Sequence, residues 1–232
     1  MKRQSETRTA GSLYASLVSA VLSFIEDNVE EEGQLWGSKV PAYLLSPSDA
    51  LRELERRSSI ELVIPGSTAS EELSIAGKSL RLVSGQLSSD HVSVERLYLA
   101  APRSVLRLDR HLLARYAEET TETGVEFMFI YANTGDLLVL EGERYRVSIP
   151  RVRASMIFHT HPEGACGLSG KDIESALDLL TEGGLASGSV TKSCAALVYR
   201  VGVVNEDEYL SFKSGKAASY RTLRVETIRL WG

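Results

Sequence analysis

The chain has 232 residues, 43% of them hydrophobic, and its 26 basic and 31 acidic residues give a formal net charge of −5. This length and apolar content can supply a buried core for one large domain or two small ones. No block of like charge suggests a nucleic-acid arm or a polybasic membrane patch, and no stretch approaches the roughly 20 apolar residues of a membrane span. Nucleic acid and membrane are therefore excluded as expected partners.

In chain order, the first hundred residues predict a helix over residues 12–31, a strand over 39–46 and a helix over 46–58 that Ser46 could cap. Four short strands follow between turn-forming Gly, Ser and Asp residues, at 60–66, 72–77, 79–85 and 94–101. Residues 1–100 are therefore predicted to be a small α+β accessory domain of unknown role.

The pattern restarts near residue 101, with a strand at 104–108 and a helix over 110–121 that Asp109 could cap. The other predicted elements are strands at 125–132, 137–140, 145–149, 154–161, 195–204 and 209–213, and a helix at 169–180. Residues 101–232 thus predict an α/β domain in which helices flank a mixed β-sheet.

Compartment is inferred from cysteine usage and from the N-terminus. Cys166 and Cys194 are too few for a disulfide framework, although they could still pair, and such low usage favours a reducing, cytoplasmic environment. A basic start precedes an apolar run at residues 13–25, as in a signal peptide. Serines interrupt this run and its apolar residues recur at helical spacing, so an amphipathic helix is the better prediction.

One segment, FHTHPEGACGLSGKD at residues 158–172, carries candidate metal ligands. His159 and His161 alternate along a predicted strand and so project from the same face. Asp172 begins a helix after ten intervening residues, which can bring its carboxylate back over that strand. Three protein ligands leave a fourth tetrahedral position for water, as in catalytic zinc sites. A bare pair of histidines could equally be surface or satisfied core residues.

With Pro162 and Ser169, the segment matches the pattern H-[ST]-H-P-x6-S-x2-D. This string resembles the signature of the JAMM, or MPN+, metalloproteases, and the loop is similar to that of the deubiquitinating members in the proteasome lid. The resemblance covers about residues 103–232. It implies an MPN domain, with Zn2+ bound by His159, His161 and Asp172.

The family also places a catalytic Glu on an earlier strand, and the segment GVEFMFIYA makes Glu126 the candidate. Strand alternation puts Glu126 on one face with Met128 and Ile130. A carboxylate in a strand that is apolar on both faces is costly unless it is hydrogen-bonded or functional. The alternative is an ordinary Glu at the end of the strand, facing solvent.

The resemblance implies a zinc-dependent isopeptidase that removes ubiquitin or ubiquitin-like modifiers from conjugates by attack of metal-activated water. Glu126 would be the general base and Ser169 the oxyanion donor, while Ser169 could also cap the following helix. Ubiquitin-like conjugates, and the proteasome or another protein complex, are the implied partners. Alternatives are a JAMM peptidase acting on the C-terminus of a sulfur-carrier protein and a non-catalytic MPN scaffold.

The sequence departs from the larger members of the family in two places. Gly167 replaces an aromatic residue of the loop, and only 33 positions separate Glu126 from His159, which leaves little room for the insertion that helps to hold ubiquitin. Cys166 could be a fourth ligand that closes the site, but a small, buried loop residue is the preferred interpretation.

Overall fold

The computed structural model describes residues 4–30, 32–56, 59–63, 70–75, 78–84, 90–142, 153–164, 166–214 and 220–230. Its helices are α1 (Ala10–Asp27), α2 (Glu32–Gly37), α3 (Pro47–Arg56), α4 (Val94–Leu108), α5 (Arg110–Thr123), α6 (Gly170–Thr181) and α7 (Glu206–Lys213), with a 3-10 helix at Ala42–Leu45. Its strands are β1 (Gln4–Thr7), β2 (Lys39–Pro41), β3 (Ser59–Leu62), β4 (Ser70–Ile75), β5 (Lys78–Ser84), β6 (His91–Ser93), β7 (Phe127–Ala132), β8 (Leu137–Glu141), β9 (Ala154–Thr160), β10 (Ala186–Val190), β11 (Cys194–Arg200) and β12 (Leu223–Arg229). None of the helices described is long and apolar enough to cross a membrane.

A seven-stranded sheet in the order β1-β8-β7-β9-β10-β11-β12 forms the centre of the molecule. Adjacent strands in this sheet are antiparallel, except that β9 and β10 run parallel to each other. Two small sheets, β2-β6 and β3-β5-β4, complete the strands described. The predicted α/β class, with a mixed sheet flanked by helices, is confirmed.

Helices cover both faces of the central sheet. α1 and α5 pack on one face, with α4 against α1, and aromatic residues such as Phe129 and Phe158 are fully buried in the main core there. α6 packs on the other face, where Ile130 and Leu140 belong to a second apolar cluster. Because strand residues alternate between faces, each residue of β9 is committed either to the α5 side or to the α6 side.

The predicted strands at 94–101 and 104–108 were wrong, because both lie in the single helix α4. The apparent restart of the pattern near residue 101 falls in the middle of this helix, and Pro102 lies inside the helix and is itself buried. The buried positions Val94, Leu97, Ala101 and Val105 recur at helical spacing, so packing on α1 compensates for the hydrogen bond that proline cannot donate.

Three other differences follow from local sequence. The predicted strand at 209–213 is part of helix α7, which Asn205 caps by accepting from the Glu208 N–H at 2.9 Å. β10 was not predicted, because its central residues are Ser187, Gly188 and Ser189 rather than β-branched or aromatic. The predicted strand at 145–149 lies outside the described residues.

The division predicted between residues 100 and 101 falls inside α4. β1 pairs with β8 at the edge of the central sheet, and α1 packs against β7 and β9. Asp109 also links the two parts: it makes no side-chain cap on α5, and its carboxylate instead accepts from the Thr9 hydroxyl at 2.7 Å, at the start of α1.

Candidate metal centre

The two histidines lie at the C-terminal end of β9, on the face of the sheet that α6 covers. His159 is the sixth residue of β9, and the backbone N–H of His161, just beyond the strand, donates to the Val190 carbonyl at 2.9 Å. Both imidazoles are half-buried, and Thr160 between them is fully buried on the opposite face. The predicted projection of both histidines from one face is confirmed.

Asp172 reaches the histidines from the first turn of α6. The Ser169 hydroxyl accepts from the Asp172 N–H at 3.3 Å, and the Asp172 Oδ2 accepts from the Ser169 N–H at 2.7 Å, which together form a capping box. The predicted cap by Ser169 is confirmed. This reciprocal pair fixes the direction of the Asp172 carboxylate, which places Oδ1 beside His159 and leaves the capping oxygen, Oδ2, nearest to His161.

His159, His161 and Asp172 bring their donor atoms within 4.8 Å of one another. The His159 and His161 Nε2 atoms are 2.9 Å apart, the His159 Nε2 to Asp172 Oδ1 distance is 3.3 Å, and the His161 Nε2 to Asp172 Oδ2 distance is 3.8 Å. Two ligands that share a tetrahedral zinc ion lie about 3.3 to 3.5 Å apart. One of the three distances lies in this range and the other two depart from it by about 0.4 Å or less, so the three side chains could hold a metal ion after small side-chain adjustments.

The environment of Asp172 favours its charged form, which is the form that binds metal. Burial alone would raise the pKa of this carboxyl. Its hydrogen bond and charge interaction with His159, together with the hydrogen bonds from the N–H and hydroxyl of Ser169, hold that pKa well below its usual range. The carboxylate is thus a ready metal ligand near neutral pH.

Two contacts fix the loop between the histidines and α6. Cys166 forms a disulfide with Cys194 at the start of β11, and the buried Ser189 hydroxyl of β10 donates to the Gly167 carbonyl at 2.7 Å. The sequence left the pairing of the two cysteines open, and Cys166 is half-buried in this disulfide; the Ser189 contact was not predicted, since Ser189 lies in a strand with no sequence signal. A disulfide sulfur cannot act as a thiolate, so Cys166 offers no fourth ligand in this state and the three-ligand set stays open.

Glu126 lies immediately before β7 and is exposed, rather than within the strand as the sequence predicted. Its side chain is not among the three donors within 4.8 Å of one another. β7 pairs with β9 so that Met128 stands opposite His159, and the same register continued by two residues sets Glu126 opposite His161. Within the part of the chain that the structure describes, only this extrapolated register relates Glu126 to the histidines, and its exposed position just before the strand corresponds to the alternative interpretation, a Glu at the strand end that faces solvent.

A hydroxyl pair under the histidines was missed by sequence reasoning. Thr160 and Thr120 are both fully buried, and their Oγ1 atoms are 2.6 Å apart. Thr160 Oγ1 also accepts from the Phe127 N–H at 2.8 Å. Alternation indicates that Thr160 faces away from the metal ligands, but no sequence signal identifies Thr120 as its partner.

No protein-family model, no curated protein and no solved structure matches this chain. The function is therefore inferred from the contacts within the chain and from the chemistry of its side chains.

Proposed function

We propose that this protein is a zinc-dependent isopeptidase of the JAMM type, with an MPN-like domain built on the central sheet. The observation that supports this most is the convergence of His159, His161 and Asp172, which lie within 4.8 Å of one another around a three-ligand site. These are also the residues that the H-[ST]-H-P-x6-S-x2-D string implies as ligands. Two imidazoles and a carboxylate suit zinc, although other divalent transition metals accept the same donors.

In this proposal His159, His161 and Asp172 would hold the ion. Zinc bound there lowers the pKa of a coordinated water to roughly 7 and polarises the scissile carbonyl. Glu126 accepts the proton of that water and later delivers it to the leaving amine. The exposure of Glu126 lets this carboxylate reach both water and substrate.

Ser169 would stabilise the negative charge that develops on the carbonyl oxygen. Its hydroxyl oxygen accepts from the Asp172 N–H in the capping box, and a serine hydroxyl that accepts still has its own proton to donate. Ser169 is also exposed to solvent, so a substrate carbonyl can approach it. The cap and the oxyanion role are therefore compatible.

The substrate that we propose is a ubiquitin-like modifier joined through its C-terminal glycine to a lysine amine. Such an extended tail would lie along the strands beside the site, and the cytoplasm, with the proteasome or another complex as a partner, is the setting that fits it. A linear fusion to a sulfur-carrier protein is the second substrate to assay, because it presents the same kind of C-terminal bond.

The test is metal content followed by turnover. We expect the purified protein to bind about one zinc ion per chain, and Glu126→Gln to lower kcat roughly 10²- to 10⁴-fold with zinc retained, because general-base catalysis contributes about this much. The matched control is Glu122→Gln, an equal loss of charge at an exposed position in the last turn of α5.

Two results would contradict the proposal. Protein that binds no stoichiometric metal would leave only the scaffold interpretation. Cleavage of a ubiquitin-like fusion that is the same in wild type and Glu126→Gln would remove Glu126 from the mechanism.

A further inference from the structure

The structure points to a positioning role for Thr160 and Thr120, and we propose that these two buried hydroxyls hold Glu126 in register with the metal ligands. This inference rests on the proposed function. It starts from the peptide bond that joins Glu126 to Phe127. The carbonyl oxygen of that peptide accepts from the Gly142 N–H at 2.8 Å, and its N–H donates to Thr160 Oγ1 at 2.8 Å.

This peptide unit is therefore held from both sides. The Gly142 contact extends the pairing of β7 with β8, and it is an ordinary backbone bond. The Thr160 contact replaces a backbone acceptor by a side chain at the point where β7 and β9 stop pairing. Beyond the paired residues Met128 and His159, the Thr160 hydroxyl extends the attachment to β9 as far as the peptide that joins Glu126 to Phe127.

Thr120 fixes the hydroxyl of Thr160 from the other direction. Thr120 lies in the last turn of α5, and its Oγ1 is 2.6 Å from Thr160 Oγ1. The chain then leaves α5 through Gly124, which has a φ of 72°, and reaches Glu126 two residues later. The segment from Thr120 to Phe127, which carries Glu126, is thus hydrogen-bonded to Thr160 at each of its two ends.

The same residue lies between the two histidines. His159 and His161 point to the α6 side while Thr160 points to the α5 side, so a shift of Thr160 relative to β7 changes the distance from the histidines to Glu126. Misplacement of a catalytic group by about 1 Å can cost on the order of 10²-fold in rate. The metal ligands themselves would be unaffected, since Asp172 and both imidazoles keep their contacts.

The experiment compares Thr160→Val, which has nearly the same shape but no hydroxyl, with Thr160→Ser, which keeps it. For Thr160→Val we expect kcat to fall about 10- to 100-fold with KM and zinc stoichiometry unchanged. Thr160→Ser should recover most of the activity. Thr181→Val is the matched control, since it removes an exposed hydroxyl from α6.

Two readouts separate positioning from a general loss of structure. The double variant Glu126→Gln, Thr160→Val should turn over no more slowly than Glu126→Gln alone, because Thr160 acts through Glu126. Exchange of the Phe127 amide with deuterium, followed by NMR without metal or substrate, should be at least tenfold faster in Thr160→Val than in wild type.

The outcomes are distinguishable. Rate losses that multiply in the double variant, equal impairment of Thr160→Ser and Thr160→Val, or unchanged Phe127 exchange would each overturn the positioning role. Wild-type protein that holds zinc but cleaves no substrate would overturn the proposed function instead. If Thr160→Val does not fold, Thr120→Val replaces it in the experiment. This variant removes the contact between the two hydroxyls, and exchange of the Phe127 amide still measures the hydrogen bond from Phe127 to Thr160.

Discussion

Ser169 takes part in two kinds of interaction at the same time. Its hydroxyl oxygen accepts from the Asp172 N–H, and its backbone N–H donates to the Asp172 carboxylate. Both bonds serve the start of α6, while the hydroxyl proton, which interacts with the Asp172 carboxylate in the free site, would turn to a substrate oxygen in the proposed reaction. A substitution at this residue should therefore affect stability and turnover by separable amounts.

For Ser169→Ala we expect kcat to fall about 10²- to 10³-fold, as for the loss of one oxyanion donor. The free energy of unfolding should fall by about 0.5 to 2 kcal/mol, because the N-cap of α6 loses its acceptor. Zinc stoichiometry should not change. Turnover of the modifier fusion, chemical denaturation and metal analysis check the three parts, with Ser169→Thr as the variant that keeps the hydroxyl. Wild-type kcat in Ser169→Ala would contradict the oxyanion role.

Site residues close together in the sequence could be predicted from it, and those far apart could not. His159, His161, Ser169 and Asp172 span 14 positions, and strand alternation and helix capping are local rules that fix their directions. Thr120 and Thr160 are 40 residues apart and meet only through tertiary packing. Glu126 was predicted to lie within a strand, but it lies just before β7, and its exposure depends on where that strand begins.

At the scale of elements, β10 and β11 form the support of the metal-binding loop. Ser189 of β10 holds Gly167, and Cys194 at the start of β11 holds Cys166. β10 itself consists of small residues because its neighbours come close: a Cβ at Gly188 would collide with the Ala196 carbonyl oxygen. Small size set by a close neighbour leaves no hydrophobic pattern, so the sequence could not predict this strand.

The disulfide should contribute measurably to stability. Its cysteines are 28 residues apart, and closing a loop of that length restricts the unfolded chain by about 3 to 4 kcal/mol. In denaturant without reductant, we expect the free energy of unfolding of the double variant Cys166→Ser, Cys194→Ser to be lower than that of wild type by about this amount.

The control is wild-type protein unfolded with a reducing agent, which should match the double variant. Two titratable thiols in native, unreduced protein would show that the bridge does not form. Disulfides are uncommon in the cytosol of mesophiles but frequent inside hyperthermophiles, so this result also bears on the cytoplasmic setting that we propose.

At the scale of the whole molecule, the first hundred residues supply part of the core that supports the site. α1 contributes fully buried residues such as Tyr14, Leu17 and Leu22 to the cluster that includes Phe129 and Phe158. Arg200 of β11 is 2% exposed, and its guanidinium binds Glu26 of α1 and the Gly184 carbonyl. Removal of α1 would leave a buried charge without its partner.

We therefore expect a chain of residues 101–232 alone to lack a cooperative unfolding transition and to bind an apolar dye, because α1 and half of α4 are missing. Circular dichroism during thermal unfolding and dye fluorescence measure this. The control is a chain that lacks only residues 1–3, which should unfold like the full chain. A truncated chain that folds cooperatively and binds zinc would show that residues 1–100 form a separate unit.

The fold class follows from the alternation of strand and helix patterns, and most elements of residues 110–200 lie close to their predicted positions. The organisation of the chain does not follow in the same way. The apparent restart near residue 101 made α4 look like two strands, and the pairing of β1 with β8 joins residues 130 to 136 positions apart. Contacts of this range are decided by the three-dimensional core, which one sequence does not display.

The capping box of α6 has a thermodynamic consequence. The Asp172 carboxylate accepts from the N-cap of α6 and also lies beside both histidines, so occupancy of the metal site and order in the first turn of α6 are linked equilibria. Linkage is reciprocal: if metal binding orders this turn, then any change that orders the turn in the metal-free protein also raises its affinity for the metal. Protection of the backbone amides in the first turn of α6 from hydrogen exchange should therefore increase with the fraction of protein that holds metal.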